Sequence, residues 1–132
     1  MPEYNGILIR NCIDKSKAAL SDAEYLLKDE RKDVTLNRLY YAVFYIVQAL
    51  AYKENFVTSK HSQLMGWFNK KFIHEDKIFP QRMYEIYKNA FINRQEADYE
   101  LLTAFDMSID QVKTYLEDSK YFVETVEKYL SL

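Results

Sequence analysis

Residues 36–50 read LNRLYYAVFYIVQAL, and this stretch decides the fold. Leu36, Tyr40, Val43, Val47 and Leu50 recur at three- and four-residue steps, the spacing of one face of an α-helix. Tyr41, Phe44 and Tyr45 fill a second face. A helix that is apolar nearly all round needs neighbours all round, so it belongs in the middle of a bundle. Asp33 or Thr35 is placed to cap its start, and the pattern continues to about Lys53.

Working outward, four more helical segments follow the same logic. Upstream, Ile9, Cys12, Ser16, Ala19, Ala23 and Leu26 form a stripe within a helix over about residues 5–30. Downstream, Thr58 or Ser59 opens a shorter, basic helix whose buried side is Leu64, Trp67, Phe68 and Phe72. Pro80 suits the first turn of a fourth helix, where its missing N–H costs nothing. That helix carries Met83, Ile86, Tyr87, Ala90 and Phe91 and runs into NRQEADYE at 93–100. Ser108 followed by Gln111 is a capping box for a fifth, with Ile109, Val112, Leu116, Ser119, Phe122, Val126 and Leu130 along one side. Only two glycines and two prolines interrupt 132 residues, which argues against a turn-rich β fold. The expectation is an all-α protein, an antiparallel four- to five-helix up-and-down bundle. No repeat, linker or low-complexity tract divides it, so residues 1–132 read as a single domain.

The net charge of −2 excludes a generally basic nucleic-acid binder, and no DNA partner is expected. The charge is unevenly spread. Residues 60–94 hold seven basic and three acidic side chains, whereas residues 95–132 hold three basic and nine acidic. That leaves either a local positive region for phosphate or two oppositely charged surfaces that dock together. Cys12 is the lone cysteine, which rules out an intrachain disulfide and a Cys-based zinc site. The longest apolar run, LYYAVFYIV at 39–47, is far short of the roughly 20 residues that span a bilayer. With no signal-peptide pattern at the N-terminus, a cytoplasmic protein without a membrane partner is expected. Twelve tyrosines and eight phenylalanines are more than one small core readily hides. They predict a symmetric homodimer, with aromatics of the second and fourth helices near its interface.

Arg94 is the first candidate site residue. Ala90 and Tyr87 lie one and two turns before it, so its guanidinium emerges at the end of an apolar stripe. It either pairs with Asp98 at i, i+4 or uses its planar fork to bind phosphate oxygens. Asn37 and Tyr41 stand one turn apart on the second helix. Asn37 is either exposed on the first turn or bonded across to the fourth helix. His61, in TSKHSQL, is either a solvated histidine or a proton-transfer residue near neutral pH. His74, in FIHEDK, reads as loop or helix end. Neither histidine has metal-ligand spacing to other ligands, so no metal and no cofactor are expected.

Three local features in order carry a resemblance: YYAVF at Tyr40–Phe44, the step Lys60–His61–Ser62, and RQEADY at Arg94–Tyr99. Over roughly residues 10–131 the chain resembles the HEPN superfamily (higher eukaryotes and prokaryotes nucleotide-binding), in its small stand-alone prokaryotic branch. The resemblance implies a helical bundle that commonly dimerises. It also implies binding of nucleotide or RNA at Arg94, Asn37, Tyr41 and Asp98, beside a minimal nucleotidyltransferase partner as in toxin–antitoxin pairs. Many family members are metal-independent ribonucleases that use an Arg and, four to six residues later, a His. Here Tyr99 stands where that His is expected, and no histidine follows Arg94. A phenol with a pKa near 10 is a poor general base at neutral pH. A ribonuclease reading therefore uses Arg94 with Tyr99 or His61, and negligible cleavage is expected. Transfer of adenylate to Tyr99 by the partner is a further implication, and a plain helical adaptor without a ligand is the third reading.

Overall fold

The other described α-helices all pack against α2 (Lys32–Lys53), the segment that is apolar nearly all round. This is a computed structural model, and it describes residues 2–98 and 107–131. The other helices are α1 (Pro2–Lys28), α3 (His61–Phe68), α4 (Gln81–Asp98) and α5 (Ile109–Leu130). α3 continues without a break into a π-helical segment, Asn69–Glu75. α2 packs against α1, α3, α4 and α5, and α5 also closes on α1 and α4. The all-α bundle expected from the sequence is the fold observed, and no strand occurs among the described residues.

The main core is aromatic. Tyr40, Phe68, Phe72, Tyr87 and Phe122 have no measurable exposure, and Val43, Ile46, Val47 and Leu50 of α2 complete it. A second, aliphatic cluster sits at the other end, where Ala23 and Leu27 meet Leu36, Leu39, Val112 and Leu116. Between α1 and α2 the contact is made of small residues. Ala19, Ala23, Ala42 and Ala49 are buried, and Ser16 donates its hydroxyl to the Ala42 carbonyl at 2.6 Å. A buried hydroxyl needs such an acceptor, and this one also ties the two backbones together.

The helix ends depart from the caps expected at α2 and α3. α2 begins after Arg31 with no side-chain cap. Asp33 is already inside its first turn, and the Thr35 hydroxyl bonds back to the Arg31 carbonyl at 2.7 Å. The cause is the turn before it. Glu30 takes a left-handed φ of 58°, the Arg31 N–H reaches Leu26 O, and the Glu30 N–H reaches Leu27 O. This Schellman motif leads straight into α2 and leaves no extended residue to act as a cap. α2 ends the same way, with Asn55 at φ 58° and the Phe56 N–H on Ala51 O. α3 begins at His61, later than Thr58 or Ser59. Thr58 instead shapes the approach, accepting from the Lys60 N–H and donating to Gln63 Oε1. At α5 the capping box is present as read, with Ser108 and Gln111 bonding each other's backbone N–H. Pro80 immediately precedes α4.

Candidate functional site

Three elements converge where α2 turns its tyrosines toward α3 and α4. α2 contributes Asn37, Arg38, Tyr40, Tyr41 and Phe44; α3 contributes its first residue, His61; α4 contributes Arg94 and Asp98 from its last turns. Each arrives by helical spacing. Tyr40 and Phe44 are one turn apart on a common face, as are Asn37 and Tyr41.

Arg94 is half-buried, with its guanidinium carbon 5.4 Å from the ring centroids of both Tyr40 and Tyr41. A cation against two aromatic faces is held by the ring quadrupoles as well as by packing. Nη2 donates to Tyr41 Oη at 3.3 Å. Nε stands 3.0 Å from Asp98 Oδ2. That contact is an ion pair and not an aligned hydrogen bond, since the buried Nε–H has no acceptor in line among the described residues. The guanidinium is therefore fixed in place, with part of its donor capacity unused among the described residues.

His61 is not solvated. It is half-buried, stacked on Phe44 at 4.3 Å and on Tyr40 at 5.7 Å, with Nδ1 2.7 Å from Tyr40 Oη. Burial pushes the imidazole pKa below its usual value, and the charge of Arg94 pushes it the same way. Burial raises the Tyr40 phenol well above its ordinary range, a shift that Arg94 only partly offsets. Both groups are consequently neutral near pH 7, and the Tyr40 hydroxyl donates to Nδ1. The remaining imidazole proton then sits on Nε2.

The structure brings Arg94, Tyr41, Asp98 and His61 together, and Tyr40 is the hinge between them. Asn37 stays on α2. Its Oδ1 accepts from Nε and Nη2 of Arg38 at 3.2 and 3.1 Å, so it does not bond across to α4. Arg38 was not evident from spacing alone, yet its guanidinium carbon lies 5.2 Å from the Tyr41 centroid. Tyr99 lies outside the described residues. His74 is exposed at the end of the π-helical segment, far from this chemistry in role. Among the described residues no group of three His, Cys, Asp or Glu side chains is placed to hold a metal ion. No helix among them is long and apolar enough to cross a membrane.

The HEPN domain family matches residues 9–129. The chain belongs to the HEPN family. Its relatives include a Thermotoga maritima "UPF0332 protein", 33% identical over 88% of this chain and 86% of its own length. A Methanocaldococcus jannaschii protein named "Putative toxin MJ0142" is 28% identical over 92% of this chain and 81% of its own. Another protein of that organism, "Putative toxin MJ0605", is 25% identical over 92% and 88%. The arginine and tyrosines of this HEPN protein thus occupy a bundle whose family agrees with its helices.

Proposed function

We propose that this HEPN protein is the toxin-like member of a two-protein system and binds nucleotide or RNA phosphate at Arg94. One observation carries the reading: a half-buried guanidinium held against Tyr40 and Tyr41, with one aligned donor bond among the described residues, beside a neutral histidine. Phosphate oxygens are matched by such a planar fork. His61 adds to binding in its present state. With Nδ1 taken by Tyr40, it presents Nε2–H as a donor to a ligand oxygen and has no free lone pair with which to abstract a proton. The names of the two archaeal relatives support the toxin-like role. Its partner, by the resemblance of the motifs, is a minimal nucleotidyltransferase, and the protein works as a homodimer.

Fluorescence anisotropy with a labelled single-stranded RNA tests the site. Arg94→Lys, which keeps the charge and loses the fork, is expected to weaken binding by at least about tenfold. Undiminished affinity in that variant sinks the assignment. Where the adjacent reading frame encodes a minimal nucleotidyltransferase, co-expression with it is expected to give one co-eluting complex.

A second reading, metal-independent RNA cleavage, draws on the placement of His61 next to Arg94 through Tyr40. In that chemistry Arg94 stabilises charge on the scissile phosphate and a proton is exchanged with the 2′-hydroxyl or leaving oxygen. Cleavage of a fluorescent RNA in EDTA is expected to be negligible. Cleavage lost in His61→Ala establishes the nuclease reading with His61. Cleavage that survives His61→Ala and disappears in Tyr99→Phe makes Tyr99 the proton-transfer residue.

A further inference from the structure

We infer that Arg38 is a second phosphate-binding residue, and that with Arg94 it selects ligands carrying two neighbouring phosphate groups. This rests on the reading of Arg94 as a phosphate site and extends it to the class of ligand. Arg38 and Arg94 approach the same ring, their guanidinium carbons 5.2 and 5.4 Å from the Tyr41 centroid. They arrive from different helices, α2 and α4, so Tyr41 is the shared platform of two cations.

The two arginines are held differently. Arg94 is neutralised by Asp98. Arg38 is held by the Asn37 amide, a neutral acceptor that takes both the Nε and the Nη2 proton donors at 3.2 and 3.1 Å. The amide orients the fork without cancelling its charge. Of the five N–H groups of a guanidinium, two are engaged here among the described residues, which leaves the Nη1–Nη2 edge for two parallel bonds to a phosphate. Among the described residues, two cations and one carboxylate leave a surplus of one positive charge at a half-buried place. An anion that reaches both sides of the Tyr41 platform answers both cations at once. A single phosphate on Arg94 leaves Arg38 unanswered. Two adjacent phosphates, either consecutive phosphodiesters of a single-stranded RNA or the diphosphate of a nucleotide, answer both.

The test uses the purified full chain with three probes: fluorescein-labelled hexaadenylate, ADP and AMP, the last two as competitors. Arg38→Gln is expected to weaken hexaadenylate binding about tenfold and to change AMP binding less than about twofold. It is also expected to lower the slope of log affinity against log salt by about 0.7, the share of one phosphate contact on a single strand. A purely structural role for Arg38 does not move that slope selectively. Arg38→Lys keeps the slope and loses part of the affinity, because charge remains without the fork. If Arg38→Gln does not fold, Arg38→Lys decides: weaker binding at an intact slope supports the inference, and wild-type affinity overturns it. ADP competing about tenfold better than AMP identifies a compact diphosphate as ligand; equal competition, with hexaadenylate binding still dependent on Arg38, identifies the RNA backbone. Wild-type affinity and slope in Arg38→Gln, with binding lost in Arg94→Gln, overturns this inference alone. No binding of any probe by the wild type takes the Arg94 reading down with it.

Discussion

Between Tyr40 Oη and His61 Nδ1, 2.7 Å apart, there is room for one proton, and Arg94 stands against the Tyr40 ring. A second proton on His61 would put an imidazolium in a half-buried place near a guanidinium. Burial and that charge hold the folded-state pKa below the 6.5 of an unperturbed histidine. The unfolded chain therefore takes up the proton first as the pH falls. Stability contributed by neutral His61 is complete above pH 6.5, declines as pH drops through that value, and levels off once the folded imidazole titrates as well. Urea unfolding at about pH 8 and about pH 5.5 should show this loss in the wild type, and His61→Gln should flatten it. An unchanged pH dependence in the variant would contradict the neutral pair. Part of this site was legible beforehand. Arg94 announces itself at the end of the Tyr87–Ala90 stripe, and its pairing with Asp98 is an i, i+4 contact. His61 was also readable, because His61, Leu64 and Phe68 fall at i, i+3 and i+7 on the buried side of α3. Its polar neighbours Ser62 and Gln63 hid that phase. Arg38 left no such signal, since its role depends on Asn37 and Tyr41 rotamers that spacing does not specify.

At the scale of elements, helix interiors were legible and helix ends were not. Burial repeats with the helical period, so the stripes of α1, α2, α4 and α5 follow from residue type alone. Ends are local conformations, and here they use residues that do not advertise them. Glu30, Asn55 and Lys77 all adopt left-handed φ values between 51° and 58°. With so few glycines in the chain, the usual marker of a C-terminal turn is missing. The π-helical winding of Asn69–Glu75 is equally silent, because Phe68, Phe72 and Ile73 look like the continuation of an α-helical stripe. Its wider turn is visible in the Asp76 N–H bonding back to Lys71 O, five residues earlier. Ser108 is the contrasting case, where a side chain supplies the acceptor and the motif is written in the sequence. Glu30 gives a direct test. It is exposed, and a residue with a Cβ in the left-handed region is strained by about 1 kcal/mol. Glu30→Gly should relieve that strain and raise stability by about 0.5 kcal/mol or more after its entropic cost in the unfolded chain. A lower denaturation midpoint for Glu30→Gly would show that the carboxylate has a role at this turn.

For the whole molecule, the charge asymmetry and the aromatic excess have different outcomes. The acidic α5 is partly answered within the chain: Arg82 of α4 meets Asp118 at 3.0 Å, and Lys17 and Lys120 link α1 to α5 through Glu127 and Glu24. Such exposed pairs contribute at most about 1 kcal/mol each, so they orient helices more than they hold them. The aromatics are largely absorbed as well. Every described phenylalanine is at least half-buried, because the main core is built of stacked and edge-on rings such as Phe68–Phe72 and Phe68–Phe122. The excess over an ordinary core therefore does not by itself demand a second copy, and the proposed homodimer has to rest on a surface. In the proposed dimer that surface is the α2–α4 face beside the site. Tyr41 and Tyr45 of α2 and Tyr84 and Phe91 of α4 are half-buried. Half-covered aromatic side chains are the composition of an interface core more than of a solvated rim. A twofold contact on this face would place two Arg94 sites side by side and extend the path available to one RNA strand. Sedimentation at tens of micromolar should then give twice the 15.8 kDa of one chain. Tyr84→Glu, at a half-buried position of α4 on that face, should shift the protein to the single-chain mass with its helical content intact. A wild type that sediments as one chain removes the dimer and leaves Arg94, Tyr40 and His61 to act within a single bundle.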